Sequence, residues 1–183
     1  QSDYLSRMWR NFLVSDVYEP GSVFKLLTTS IALEEDVASL DSTFYCSGSV
    51  NIAGETLHCW NRGGHGTESL TQAVGNSCNP VFMKLATDTG IEKFYDYMDT
   101  FGIRGTTGID FPAEGQAVLQ DEDTAGPVGL ATMGFGQGIA VTPIQLVTAI
   151  SSLGNDGKLM KPRLVKEIKD PSDGTVTKIK PEV

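Results

Sequence analysis

Apolar positions recur at helical spacing in several stretches of this chain and alternate with polar ones only in short pieces. From Ser22 to about Glu35, the residues Val23, Phe24, Leu27 and Ile31, with Leu26 and Ala32 beside them, fall on one side of a helix that Pro20 and Gly21 are placed to start. The stretch "LDSTFYCSGSVNIAGETLHCWNRGGHGTE" is rich in Gly, Ser, Thr and Asn. It predicts a long ordered loop or small hairpin, with β-like pieces around Phe44 and from Val50 to Ile52. Ser69 and Gln72 form a capping-box pattern that opens a short helix, Leu70 to Val74, stopped by Gly75. Asn79 suits an N-cap and Pro80 the first helical position, so a second helix runs to about Asp88 before Gly90, and "GNSCNP" is the turn between the two. Ile91 to Thr100, with Phe94, Tyr97, Met98 and Phe101 inward, predicts a third helix closed by Gly102. Thr142, Pro143 and Gln145 repeat the cap logic for a helix from Pro143 to Leu153. Near the C-terminus two β-like pieces flank "KDPSDG". The chain thus reads as one mainly helical unit with a β-like tail, without repeats or low-complexity tracts.

Composition narrows the partners. At 183 residues and 40% hydrophobic content the chain can bury a real core. A formal charge of -9, with no Lys/Arg cluster, repels phosphate backbones and anionic head groups, so nucleic acid is excluded as an expected partner. No apolar run reaches the ~20 residues that cross a bilayer, and "QSDYLSRMWRN" lacks a signal-peptide pattern.

Two residue pairs carry candidate chemistry. Ser22 and Lys25 stand three apart on one helical face, about a turn from each other. A serine hydroxyl is a poor nucleophile until a neighbouring base takes its proton, and lysine is that base only where burial or nearby positive charge lowers its pKa. The positive end of the helix disfavours the ammonium and stabilises an oxyanion near the first turn, which suits acyl transfer. Ser77 and Asn79, two apart in "GNSCNP", can present a hydroxyl to relay a proton and an amide to bind a substrate carbonyl or the lysine. Taken singly, each pair is also an ordinary helix start, with Asn79 as a cap.

The remaining candidates are weaker. Cys46, His58, Cys59 and His65 are zinc-type residues in one loop, but their spacings match no C-x-x-C or H-x-x-x-H pattern, so no metal site is expected. Cys46 and Cys59 read either as a disulfide in an oxidising compartment, worth about 3 kcal/mol by loop closure, or as two half-buried thiols. His65 reads as a structural loop histidine. Gly134, Gly136 and Gly138 in "MGFGQGIAVTP" do not form a dinucleotide fingerprint and instead let backbones approach one another or a ligand.

In order and together, "YEPGSVFK", "GNSCNP", "GFGQGIAVTPIQL" and "GKLMKPRLVKEI" resemble the transpeptidase domain of class B penicillin-binding proteins, from about Arg10 to Lys169. "FYCSGSVNIAGETLHCW" and "GGHG" are most similar to its sporulation branch, stage V sporulation protein D and its relatives. The resemblance implies an α/β serine transpeptidase fold of which this chain is the helical half, lacking most of the central sheet. It implies Ser22 as acylated nucleophile, Lys25 as its base, Ser77 as proton relay to the leaving group and Asn79 as a ligand for the substrate amide. The Ser22 N–H would be half of the oxyanion hole. Implied substrates are D-alanyl-D-alanine stem peptides of peptidoglycan, with β-lactams as acylating inhibitors and neither metal nor organic cofactor in the reaction. Division or sporulation proteins would be partners, and an N-terminal anchor would place the domain on the extracytoplasmic face of the membrane. A D,D-carboxypeptidase or β-lactamase-like hydrolase, or a non-catalytic penicilloyl-serine sensor or scaffold, would use the same boxes. The family's third box is missing: no lysine here is followed by Thr-Gly or Ser-Gly. The strand bearing it, expected beyond Val183, lines the facing wall of the cleft, so the chain alone is expected to acylate poorly or not at all.

Overall fold

The computed structural model describes residues 10–183, so most of the N-terminal stretch considered for a signal pattern lies outside them. Among the described residues no helix is long and apolar enough to cross a membrane. A one-turn helix, α1 (Phe12–Ser15), is capped by Asn11, whose side chain accepts from the Leu13 N–H. After Pro20 the chain enters a 3₁₀ turn, Gly21–Phe24, that runs directly into α2 (Lys25–Glu34). Sequence spacing predicts one continuous helix with Val23 inward. Instead Phe24, Leu27, Ile31 and Ala32 are buried, while Val23 and Leu26 are 49% and 41% exposed. The tighter winding accounts for this, because residues three apart eclipse in a 3₁₀ turn. Val23 and Leu26 therefore share the outer side, and Phe24 and Leu27 the inner.

The Gly-rich stretch that follows is more ordered than its composition suggests. Strand β1 (Thr43–Cys46) pairs antiparallel with β4 (Gly66–Ser69), and between them β2 (Ser49–Ile52) and β3 (Glu55–His58) form their own hairpin. The pieces expected at Phe44 and Val50–Ile52 are β1 and β2; their partners Glu55–His58 and Gly66–Ser69 lack a strong β pattern. Helix α3 (Leu70–Gly75) carries the complete capping box of Ser69 and Gln72. Helix α4 (Asn79–Thr89) has Cys78, not Asn79, at its N-cap, and α5 (Ile91–Thr100) buries Phe94, Tyr95 and Met98. Helix α6 (Pro127–Met133) has no counterpart in the hydrophobic pattern: it is short and carries a glycine at its centre, Gly129, a weak helix former. Helix α7 (Pro143–Leu153) matches its predicted bounds, and β5 (Glu167–Lys169) pairs with β6 (Val176–Lys178).

Helix α2, which continues the turn bearing Ser22, contacts α4 on one side and α7 on another, while α4 also packs on α5 and α6. Phe24, Leu27 and Ile31 join Phe94, Tyr95 and Met98 in one apolar cluster, and Phe82, Met83 and Leu85 of α4 lead a second. Burying a large apolar side chain stabilises by about 1.5–3 kcal/mol, so these clusters fix where the α2 N-terminus sits. Gln145 of α7 ties the loop after α5 into this core. Its side chain accepts from the Thr142 N–H at 2.9 Å and donates to the Ile103 and Gly105 carbonyls at 3.2 and 2.6 Å. Gln145→Ala leaves all three groups without their partner and is expected to lower stability by about 2 kcal/mol in urea unfolding. No loss would show that water replaces the side chain.

Candidate active site

Backbone pairing sets the position of Ser22. Tyr18 and Val141 exchange hydrogen bonds at 3.0 Å in each direction, and the Gly21 N–H donates to Gly136 O at 2.9 Å. Glu19 Oε1 accepts from the Gly138 N–H at 2.9 Å. The segment 136–141 is thus a rail along which 18–21 is laid, and Ser22 leaves that rail exposed at the start of the 3₁₀ turn, where the first N–H groups have no intrahelical acceptor.

One turn on, Lys25 is only 3% exposed. Its Nζ donates to Ser77 O at 2.8 Å, Ser77 Oγ at 2.9 Å and Asn79 Oδ1 at 2.7 Å, which uses all three ammonium donors. The Phe82 ring lies below it, centroid 5.2 Å away. Burial lowers the lysine pKa from 10.5 to about 8, against the opposing pull of the Cys59 and Cys78 sulfurs. That brings the neutral amine into reach near physiological pH.

The facing turn is strained. Ser77 has φ 52°, in the left-handed region that a non-glycine residue occupies at a cost of about 1–3 kcal/mol. It is held there by Ser77 N–H to Val74 O and Cys78 N–H to Ala73 O, at 3.1 and 3.0 Å. Trp60 Nε1 donates to Asn76 O at 2.9 Å, and Asn79 Nδ2 lies 3.4 Å from His58 O, so the residues after β3 brace the turn from outside. The sequence did not single out Trp60 or this contact, because nothing in the spacing of the two segments signals that they meet.

Ser77 Oγ is also 2.9 Å from Ser22 Oγ. The structure therefore brings together Ser22, Lys25, Ser77 and Asn79, but in an order the spacing did not suggest. Among the described residues Lys25 Nζ makes no hydrogen bond to Ser22 directly; the route runs Lys25 to Ser77 to Ser22. With the ammonium donating, Ser77 gives its proton toward Ser22. Once Lys25 is neutral, its lone pair can accept the Ser77 O–H, leaving Ser77 Oγ free to accept the proton of Ser22. Of the two roles the sequence offered for Asn79, the cap falls to Cys78, and Asn79, the first residue of α4, accepts from Lys25 through its side-chain carbonyl, as its reading as a lysine ligand expected.

Cys46, Cys59 and Cys78 are free thiols and fully buried, where the sequence allowed a Cys46–Cys59 disulfide or two half-buried thiols. Their sulfurs and a ring nitrogen of His65 lie within 4.8 Å of one another directly behind the Ser77–Asn79 turn. His58 is not among them.

A Ser-x-x-Lys pair at a helix start, faced by a Ser-x-Asn turn, is the arrangement of the penicillin-binding and serine β-lactamase superfamily. Within it, the chain belongs to the penicillin-binding protein transpeptidase family: the family profile "Penicillin binding protein transpeptidase domain" matches residues 1–183. Stage V sporulation protein D of Bacillus subtilis is 45% identical over 163 residues, 88% of this chain and 25% of that protein. Peptidoglycan D,D-transpeptidase PbpA of Mycolicibacterium smegmatis is 30% identical over 183 residues, 94% of this chain and 36% of that protein. Among solved structures, a peptidoglycan synthetase from Bifidobacterium adolescentis superposes with a TM-score of 0.88 at 29% identity, covering 96% of this chain and 32% of that one. Penicillin binding protein 3 from Mycobacterium tuberculosis, complexed with aztreonam, gives 0.85 at 30% identity, covering 93% and 38%. The chain spans about a quarter of the length of its first curated relative. The fold is that of these transpeptidase domains, mostly helical here with a few short strands.

Proposed function

We propose that this chain carries the acylating centre of a peptidoglycan D,D-transpeptidase. Neutral Lys25 draws a proton from Ser77 as Ser77 takes that of Ser22. Ser22 Oγ then attacks the penultimate carbonyl of a D-alanyl-D-alanine stem peptide. Collapse of the tetrahedral adduct releases D-alanine, which leaves with the proton returned through Ser77. An amine of a second stem then attacks the acyl-serine, restoring Ser22 and forming the cross-link. Asn79 binds the substrate amide and holds Lys25. A β-lactam acylates the same serine and cannot complete the second step. The observation that carries this reading is the continuous hydrogen-bonded path from Lys25 Nζ through Ser77 Oγ to Ser22 Oγ, all links at 2.9 Å. The relatives' names support peptidoglycan as substrate and a role in sporulation, and the aztreonam complex of a relative supports β-lactams as ligands of the same site. A substrate in the cell wall would place the domain on the extracytoplasmic face of the membrane.

The chain contains no Lys followed by Thr-Gly or Ser-Gly. Loss of one oxyanion donor alone slows such chemistry by 10² to 10³, about 3–4 kcal/mol, so acylation by the chain alone should be slow. On prolonged incubation with a reactive penicillin, intact mass should rise by one penicilloyl group, located by digestion to the peptide holding Ser22. An adduct on any other residue, or none at any exposure, overturns the assignment. Complete labelling on mixing overturns the expected slowness.

A further inference from the structure

We propose that Cys46, Cys59, His65 and Cys78 form a tetrahedral site for one zinc-class divalent ion, and that the ion braces the Ser77–Asn79 turn from behind. One ligand atom from each lies within 4.8 Å of the others, and Cys59 Sγ is 3.7 Å from His65 Nδ1. Ligands ~2.0–2.3 Å from a zinc ion stand about 3.6–3.8 Å apart, so the longest edge needs to contract by about an ångström. Side-chain torsions supply that.

The backbone is shaped for the gathering. The β1–β4 register sets Cys46 opposite Gly66, which brings His65 alongside, and the Cys59 N–H donates to Gly48 O at 2.9 Å. Gly48 and Gly64 have φ of +94° and +77°, and a Cβ on either would stand 2.2 Å from Arg62 O or 2.3 Å from Cys46 O. Only glycine lets these two loops press together. The His65 and Gly48 N–H groups hydrogen-bond to the Cys46 sulfur and the Val81 N–H to that of Cys78.

Packing alone does not account for the group. His65 Nε2 and Glu68 Oε1 are buried without partners, and Glu68 Oε1 is 4.0 Å from His65 Nδ1. Glu68 is 2% exposed, and its other oxygen accepts from Asn76 Nδ2 at 3.1 Å. A buried carboxylate beside three sulfurs calls for a positive centre. A soft divalent ion provides it. Three sulfurs and a nitrogen exclude magnesium and calcium, which take oxygen ligands. The ligand spacing follows no zinc motif because the four residues come from the end of β1, the loop after β3, the residue before β4 and the turn before α4. Cys78 stands between Ser77 and Asn79, so a metal–sulfur bond there ties the left-handed Ser77 to both hairpins.

The reduced chain is expected to take up one Co²⁺, with sulfur-to-cobalt charge-transfer absorption and the intense visible bands of tetrahedral ligation, bleached by Zn²⁺. Cys46→Ser, remote from Ser77 and Asn79, should weaken Co²⁺ binding more than ~100-fold and lose charge-transfer intensity, while Glu68→Gln keeps the stoichiometry. Hydrogen exchange on the unsubstituted chain tests the bracing without any variant. Amides of Ser77, Cys78 and Asn79 should exchange more slowly with Zn²⁺ and faster after EDTA. Weak octahedral cobalt bands, unchanged binding in Cys46→Ser, or a Cys46–Cys59 disulfide forming in air despite excess Zn²⁺ each overturn the site. An imidazolium–carboxylate pair of His65 and Glu68 in place of the ion would give the first of these results. Exchange at 77–79 that ignores bound metal overturns the bracing.

Discussion

Lys25→Met is expected to slow penicillin acylation of Ser22 by ~10³-fold, the scale of a lost general base. It should also remove the pH dependence that the lysine imposes. In the unsubstituted chain the rate should climb about tenfold per pH unit below the lysine pKa of about 8 and level off above it, because only the neutral amine can accept the Ser77 proton. Folding stability supplies an independent reading of the same group. The folded chain holds the Lys25 proton less tightly than the unfolded chain, whose lysine keeps its ordinary 10.5. Below about 8 both states are protonated and the burial penalty is present in full. Between about 8 and 10.5 the unfolded state binds more protons, so unfolding free energy rises with pH across that window, by up to ~3 kcal/mol. The quantity to measure is the difference in urea-unfolding slope between the unsubstituted chain and Lys25→Met, which isolates this one group. Equal slopes would show that Lys25 keeps its ordinary affinity, and a variant retaining a tenth of the rate would remove it from the relay.

The local rules were readable in sequence wherever one residue type answers one backbone need. The Ser69 and Thr142 capping boxes, the bounds of Ile91–Thr100 and Pro143–Leu153, and the C-terminal β5–β6 pair all follow from short-range pattern. What sequence left open depends on which segments meet. Ser22 and Lys25 could be placed on one helix face, but the hydrogen-bond order through Ser77 depends on the strained turn 52 and more residues away. For Asn79 the sequence left a cap and a ligand of the lysine both open, because Asn before Pro commonly caps a helix; only the tertiary contact with Lys25 decides between them. The cysteine cluster was only partly legible for the same reason: Cys46, Cys59 and His65 stood out as zinc-type residues, but their spacing fits no motif, and that Cys78 rather than His58 joins them is set by how two hairpins meet the turn before α4. Helix α6 has too few residues and too much glycine for periodicity to register.

Gly136→Ala is expected to slow acylation about 10²-fold or more without touching Ser22, Lys25, Ser77 or Asn79. Gly136 has φ +79°, and a Cβ there would lie 2.1 Å from Gly21 O and 2.8 Å from both Gly21 C and N. These are backbone atoms of the residue before Ser22, pinned by the Gly21 N–H to Gly136 O bond, so they cannot yield as a flexible side chain would. Two separate penalties follow, one for the left-handed conformation and one for the collision. Gly157→Ala separates them, since Gly157 has φ +72° with nothing within 4 Å of the added carbon. That control should lose about 1–2 kcal/mol, the conformational part alone, and keep its acylation rate. Gly136→Ala should lose roughly twice as much or more, because relief requires the rail at 136–141 to part from Gly21. The position of Ser22 Oγ relative to Ser77 Oγ is inherited from that rail, and a shift of an ångström at a near-attack geometry slows reaction about 10²-fold. Equal stability losses in the two variants, or Ser22 labelling at the unsubstituted rate in Gly136→Ala, would mean that the 3₁₀ turn holds its own shape and the Gly-rich segment only lies beside it.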